Sequence, residues 1–196
     1  MNPALVIRSF LFCVTVALLP LASASGTVQT ESDPLASAED DVYLVTFHYE
    51  ISIAKPARAI WPHLLDPGSW MYEFELAHVS GPVGQEGEVR RLYEEQDFFV
   101  QTTKLIENRL YVSVNLPSTF RDEFSTGIAI ITLTEVNEST IVALTMSRRY
   151  TWLGEGPNPT REIRESEAFQ EATRATWEEK FLPRLRQLAE ADEKSD

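Results

Sequence analysis

TREIRESEAFQEATRATWEEKFLPRLRQL, residues 160–188, is the only long helical pattern in this chain, and nearly everything ordered before it reads as strand. In its second half Trp177, Phe181, Leu185 and Leu188 step by four, four and three, which is one face of a helix. That stripe reads as an ordinary core-facing surface. The first half is thinner, with Phe169, Ala172 and Thr176 on a stripe rotated from the second. There Phe169, Thr173 and Thr176 are candidates to face a space that side chains do not fill. Thr160 follows Pro159 and is expected to cap the first turn. Glu162 and Glu165 lie near the positive end of the helix dipole, Arg184 and Arg186 near the negative end. Pro183 cannot donate to the carbonyl of Glu179 and its ring crowds it, so a kink or a break into two helices is expected there.

Working back from the helix, strands dominate. Tyr43, Val45, Phe47, Tyr49, Ile51 and Ile53 alternate with Leu44, Thr46, His48, Glu50 and Ser52, the clearest strand in the chain. A short helix or two follows, begun near Pro56, limited by Pro62 and ended by Asp66-Pro67-Gly68. Tyr72, Phe74, Leu76 and His78 alternate as a second strand. Residues 89–95 and 98–107 read as paired strands, and Asn108-Arg109 turns the chain into Leu110, Val112, Val114 and Leu116. Residues 117–122 (PSTFRD) read as a loop. Residues 128–136 and 140–150 form a hairpin around Asn137-Glu138, and residues 152–159 (WLGEGPNP) form the last loop. Short turns make the strands antiparallel neighbours, and a twisted sheet of six to seven strands curls. The expected class is α+β, a curved antiparallel sheet wrapped around a long C-terminal helix, without internal repeat or second domain.

The chain has 196 residues, 43% of them hydrophobic, enough to bury a real core. Its formal net charge of −13 makes nucleic acid and anionic lipid headgroups poor partners. Arg8, the apolar run 10–21 and Ala22-Ser23-Ala24 have the order of a signal peptide, which predicts cleavage after Ala24 and export to the periplasm or outside the cell. An uncleaved anchor is the lesser alternative. The only cysteine, Cys13, lies in that segment, so the mature chain would have no disulfide and no thiolate chemistry. Residues 25–41 read as a flexible acidic lead-in, 42–190 as the folded domain and 191–196 as a disordered tail.

Several phrases, in this order, are similar to the START-like superfamily (SRPBCC), the polyketide cyclase/dehydrase and lipid-transport family with the helix-grip fold of the birch pollen allergen. They are Ile53-Ala54-Lys55-Pro56-Ala57 with Trp61, Asp66 through Trp70, Ser80-Gly81-Pro82 through Gly87-Glu88-Val89-Arg90, and the closing helix from Phe181 to Leu188. The resemblance spans about 42–190 by this pattern reading. It implies a cavity between sheet and helix that holds a sterol, lipid, hormone or polyketide, and some members are enzymes. Pro183 departs from the pattern.

The resemblance makes the inward positions the candidate ligand-binding residues: Arg90 and Leu92 on one strand, Leu144, Met146, Arg148 and Tyr150 on another, and Phe169, Thr173 and Thr176 on the helix. Phe120 and the loop after Trp152 are candidates to face each other across an entrance. Two ordinary surface loops are the alternative. An inward arginine needs a partner. For Arg90 that is either a ligand oxygen or a structural ion pair with Glu94 or another nearby acid. Trp61 and Trp70 read as core. His48, His63 and His78 lack zinc spacing, and there is no HExxH, GxSxG, Walker or GxGxxG pattern. No metal or cofactor is expected, and no catalytic residue is assigned. The leading reading is a carrier of a small, mostly apolar ligand. The alternatives are a cyclase or aromatase, which needs His78, Arg90, Arg148 or Tyr150 to converge, and a protein-interaction module with a vestigial cavity. Asn137-Glu138-Ser139 is a glycosylation sequon if the source is eukaryotic.

Overall fold

The computed structural model describes residues 42–93, 96–120 and 122–191, without the side chains of 93, 96–97 and 119–120. The expected leader, lead-in and last five residues lie outside the described residues. Strand β1 (Val42–Ile53) is followed by helices α1 (Ala57–Leu65) and α2 (Pro67–Trp70). Then come β2 (Ala77–Ser80), β3 (Val89–Tyr93), β4 (Gln96–Ile106), β5 (Leu110–Phe120), β6 (Glu123–Val136) and β7 (Ser139–Trp152). The chain closes with α3 (Arg161–Glu165), α4 (Glu167–Ala175), a π-helical segment (Thr176–Phe181) and α5 (Leu182–Ala191). The strands form one antiparallel sheet in the order β1-β7-β6-β5-β4-β3-β2, so the first strand sits beside the last. This is a curved sheet with a long C-terminal helix, as expected.

The hairpins follow from turn chemistry. Asn108 and Asn137 both have positive φ, near 59° and 56°, a conformation asparagine tolerates better than other residues with a Cβ. Asn137-Glu138 joins β6 to β7 with Val136 opposite Ser139. The expected loop at 117–122 is instead mostly strand. Pro117 has no N–H for a ladder, and it falls where the β5–β6 register shifts between Asn115 and Ser118, so the irregularity absorbs it. Pairing resumes through Phe120 opposite Glu123.

One end of the molecule is a solid core. Tyr49, Ile53, Ile60, Trp61, Leu64, Trp70, Ile131, Leu133, Val142 and Leu144 pack with Trp177, Phe181, Leu182 and Leu185. Trp61 and Trp70 are therefore core residues. The Trp177 ring lies 5.2 Å from Phe181 and 6.2 Å from Trp70, both edge-on. The expected strand at Tyr72–Leu76 does not form; only Ala77–Ser80 pairs. Phe74 turns instead onto Phe181 at 5.0 Å, with Phe74 N–H bonded to Met71 O, because burying these rings outweighs extending a short edge strand.

The long helix also differs from expectation. It breaks at Ser166, which is extended and caps α4 by accepting from Phe169 N–H. Thr160 makes no such cap; its own N–H is bonded by Asn158 Oδ1. At Pro183 there is no break. The preceding turn widens, with Leu182 N–H bonded to Trp177 O, and helical torsions continue on both sides. The widened turn meets the proline's missing donor without ending the helix.

Candidate functional site

Alternation along each strand and the cross-strand register together define what faces the helix. Four rows run across the sheet. Tyr49, Leu144, Ile131 and Tyr111 form the first, and Phe47, Met146, Ala129, Ser113 and Thr102 the second. Val45, Arg148, Gly127, Asn115, Val100 and Arg90 form the third, and Tyr43, Tyr150, Ser125 and Ser118 the fourth. Tyr49, Leu144 and Ile131 are buried in the first row, and Tyr43 and Tyr150 in the fourth. Thr102, Phe98 and Val45 are buried at the sides. Between them Phe47, Met146, Ala129, Ser113, Arg148, Gly127 and Asn115 are only half-buried, although they point inward. The centre of the inner face is therefore less buried than its two ends; Phe47, Ala129 and Met146 pack against the core, and Tyr111, Val100, Ser118 and Ser125 around it are also only partly buried.

The alternation of β5 is inverted. Its apolar Val112 and Val114 share the outer face with Ile128 and Ile130 of β6, while Tyr111, Ser113 and Asn115 face in. Two of these inward polar groups have partners, Tyr111 with Thr102 and Asn115 with Arg148. Helix α4 joins α3 to the π-helical segment. The segments on either side of it lie against β1.

A buried cluster lies at the end of the inner face opposite the aromatic core. Glu123 is 5% exposed, next to Phe120 and Trp152 in register. Its Oε2 meets Arg164 Nη1 at 2.6 Å, and its Oε1 accepts from the Tyr43 hydroxyl at 2.7 Å and from Thr160 Oγ1 at 2.6 Å. The Arg164 guanidinium lies 3.9 Å from the Tyr150 ring centre, and Tyr150 stacks on Tyr43 at 5.0 Å. Burial, reinforced by the Glu123 bond and charge against the opposing pull of Thr160 and Arg164, raises the Tyr43 phenol far above its ordinary range. The following loop folds back, with Trp152 Nε1 donating to Gly156 O at 3.1 Å.

The candidate residues separate accordingly. Met146 and Arg148 are half-buried at the centre of the inner face, Met146 packed against the core, and Phe169 is half-buried on α4. Leu144 belongs to the solid core and Leu92 is buried. Tyr150 belongs to the closing cluster. Thr173 and Thr176 are buried, and their hydroxyls donate back to Phe169 O and Ala172 O, which occupies their protons. The Phe120 backbone lies opposite Glu123 in the β5–β6 register; its side chain is outside the described residues. Arg90 is in a structural ion pair, with Glu88 rather than Glu94, which lies outside the described residues. Arg90 Nε and Nη2 donate to the two Glu88 oxygens at 2.8 and 2.9 Å, and Nη2 also donates to Leu65 O. His78 Nδ1 sits 3.3 Å from Glu88, with its side chain 42% exposed, so it is not the interior histidine the pattern suggested. Burial raises the Glu88 carboxyl, but the Arg90 bonds, the Gly84 N–H and the Arg90 charge outweigh it and hold the group below its ordinary value.

Sequence reasoning missed Asn115, Gly127, Phe98, Glu123 and Arg164. Only the Ser113–Asn115 alternation gave a signal, as polar residues alternating with valines in a strand.

No sequence-family model matches the chain, and none of the curated proteins does. Solved structures do. A protein of unknown function from Staphylococcus aureus aligns at TM-score 0.56 and 9% identity, covering 79% of this chain and 99% of its own. Ara h 8.0201 aligns at TM-score 0.51 and 14% identity, covering 79% and 100%. An uncharacterized protein from Rhizobium leguminosarum aligns at TM-score 0.50 and 10% identity, covering 76% and 96%. The chain has the helix-grip fold these proteins share.

Proposed function

We propose that this chain is an exported binder or carrier of a small, mostly apolar ligand held between the sheet and α4. The observation that carries the reading is the half-buried centre of the inner face, with buried Tyr49, Leu144 and Ile131 on one side of it and buried Tyr43 and Tyr150 on the other. Phe47, Met146 and Ala129 supply apolar lining, and Ser113, Asn115 and Arg148 supply the few polar groups that orient a bound molecule. Export rests on the leader pattern of residues 1–24. Among the described residues no helix is long and apolar enough to cross a membrane.

The cyclase reading needs its polar candidates together. His78 and Arg90 are engaged with Glu88, Tyr150 with Tyr43 and Arg164, and Arg148 with Asn115 and Phe98. Three separate clusters do not favour it. The test is organic extraction of the purified native protein with mass spectrometry of the extract, alongside titration with the neutral fluorophore N-phenyl-1-naphthylamine. A co-purifying small molecule and saturable fluorophore binding are expected. An empty extract with no fluorophore binding overturns the proposal.

A further inference from the structure

Residues 157–165, which run from the last loop through α3, are held by side chains. Among the described residues no main-chain hydrogen bond ties them to a strand. Helix α3 carries a single apolar side chain, Ile163, and it is only half-buried. What holds the segment converges on one carboxylate and two stacked rings. Arg164 and Thr160 both bond Glu123, at 2.6 Å each, and the Arg164 and Arg161 guanidinium groups lie over Tyr150 and Tyr43. A joint stands at each end. Ser166 is extended, at φ −66° and ψ 145°, between two helical segments. Gly156 has φ near 77°, and a Cβ there would meet nothing within 4 Å, so its backbone turns in open space. The docked position also has a cost. Asn158 Oδ1 takes the Thr160 N–H, but its Nδ2 is buried without a hydrogen-bond partner, and withdrawal returns that donor to water.

We propose that residues 157–165 form a flap that swings about Gly156 and Ser166, with Arg164 and Glu123 as its latch, and that it gates ligand exchange. This rests on the carrier reading and adds how the bound molecule enters and leaves. Withdrawing the flap uncovers Tyr43 and Tyr150, the row of the inner face beside Val45 and Arg148. Because the closed form holds few apolar contacts, one broken latch shifts the balance between closed and open.

The experiment follows N-phenyl-1-naphthylamine binding to the full chain by stopped flow and by equilibrium titration. A gate that opens more often speeds entry and exit alike. Arg164→Leu is expected to raise association and dissociation rates together by about tenfold, the scale of one charge-assisted contact, with Kd unchanged. Thr160→Val, which loses one of the bonds to Glu123, is expected to raise both by a smaller factor. Should Arg164→Leu fail to fold, Thr160→Val carries the test. Rates that stay at the native values, or a weaker Kd with association unchanged, overturn the gate and leave the carrier reading standing. Absence of fluorophore binding to the native chain sinks both.

Discussion

Glu88 is 2% exposed and takes bonds from Arg90, His78 and the Gly84 N–H, so its charge is fully committed to the fold. Removing it as Glu88→Ala leaves Arg90 without its acid and is expected to cost about 3–5 kcal/mol in urea denaturation. The pH sign follows from its depressed pKa. The stabilisation is present above the unfolded carboxyl's pKa and is lost as pH falls through the lower folded value. Stability of the native chain should therefore fall in acid more steeply than that of Glu88→Gln. Tyr49 has the opposite sign. Its ring is 4% exposed, its hydroxyl has no hydrogen-bond partner among the described residues, and burial, with the Glu178 charge, pushes it up to about 12. The unfolded phenol ionises near 10.0, so the native state loses stability between there and about 12. Tyr49→Phe should flatten that alkaline limb and leave neutral-pH stability nearly unchanged, since no bond is lost. Gly127→Ala should cost about 1–3 kcal/mol in a thermal melt, because the added methyl meets backbone as well as Asn115.

Among the elements, α3 buries none of its five residues. It is tied down by Arg164, which reaches Glu123, the Tyr43 hydroxyl and the Tyr150 face, by Arg161, whose guanidinium lies 5.8 Å from the Tyr43 ring centre, and by Thr160 just before it. Such an element lies at the low end of local stability. Arg164→Leu is expected to raise amide hydrogen exchange across 160–166 by tenfold or more, with little change in 182–191. Exchange rising equally in both segments would mean that α3 is not an independent unit. The solid end behaves differently: α5 and the π segment bury Phe181, Leu182 and Leu185 completely, so Pro183 is accommodated by a widened turn instead of a break.

At the scale of the molecule, the two ends of the inner face are closed by different chemistry. One is closed by packed aromatics, the other by a buried ion pair with stacked tyrosines, and the half-buried patch lies between them. Ala129→Trp enlarges a side chain at the centre of that patch. If the space is open, the Tm should shift by only a few degrees while N-phenyl-1-naphthylamine binding is lost. A collapse in Tm would mean that the centre is already filled.

The sequence by itself determined the element order, the β1 span, the Asn137 turn and the core face of the last helix, because these depend on local periodicity and turn chemistry. Strict alternation from Tyr43 to Ile53 and the step from Trp177 to Leu188 are readable without any partner. Only the tertiary structure decided which face of β5 points inward, that Pro117 falls in an irregular step, that Thr160 serves Glu123 instead of its own helix, and that Arg90 pairs with Glu88 while Arg148 sits beside Asn115 and Phe98. Most of these depend on groups far apart in sequence: Asn115 meets Arg148 over Gly127, and Tyr43 meets Glu123 and Arg164. Long-range register brings such groups together, and no local pattern encodes it.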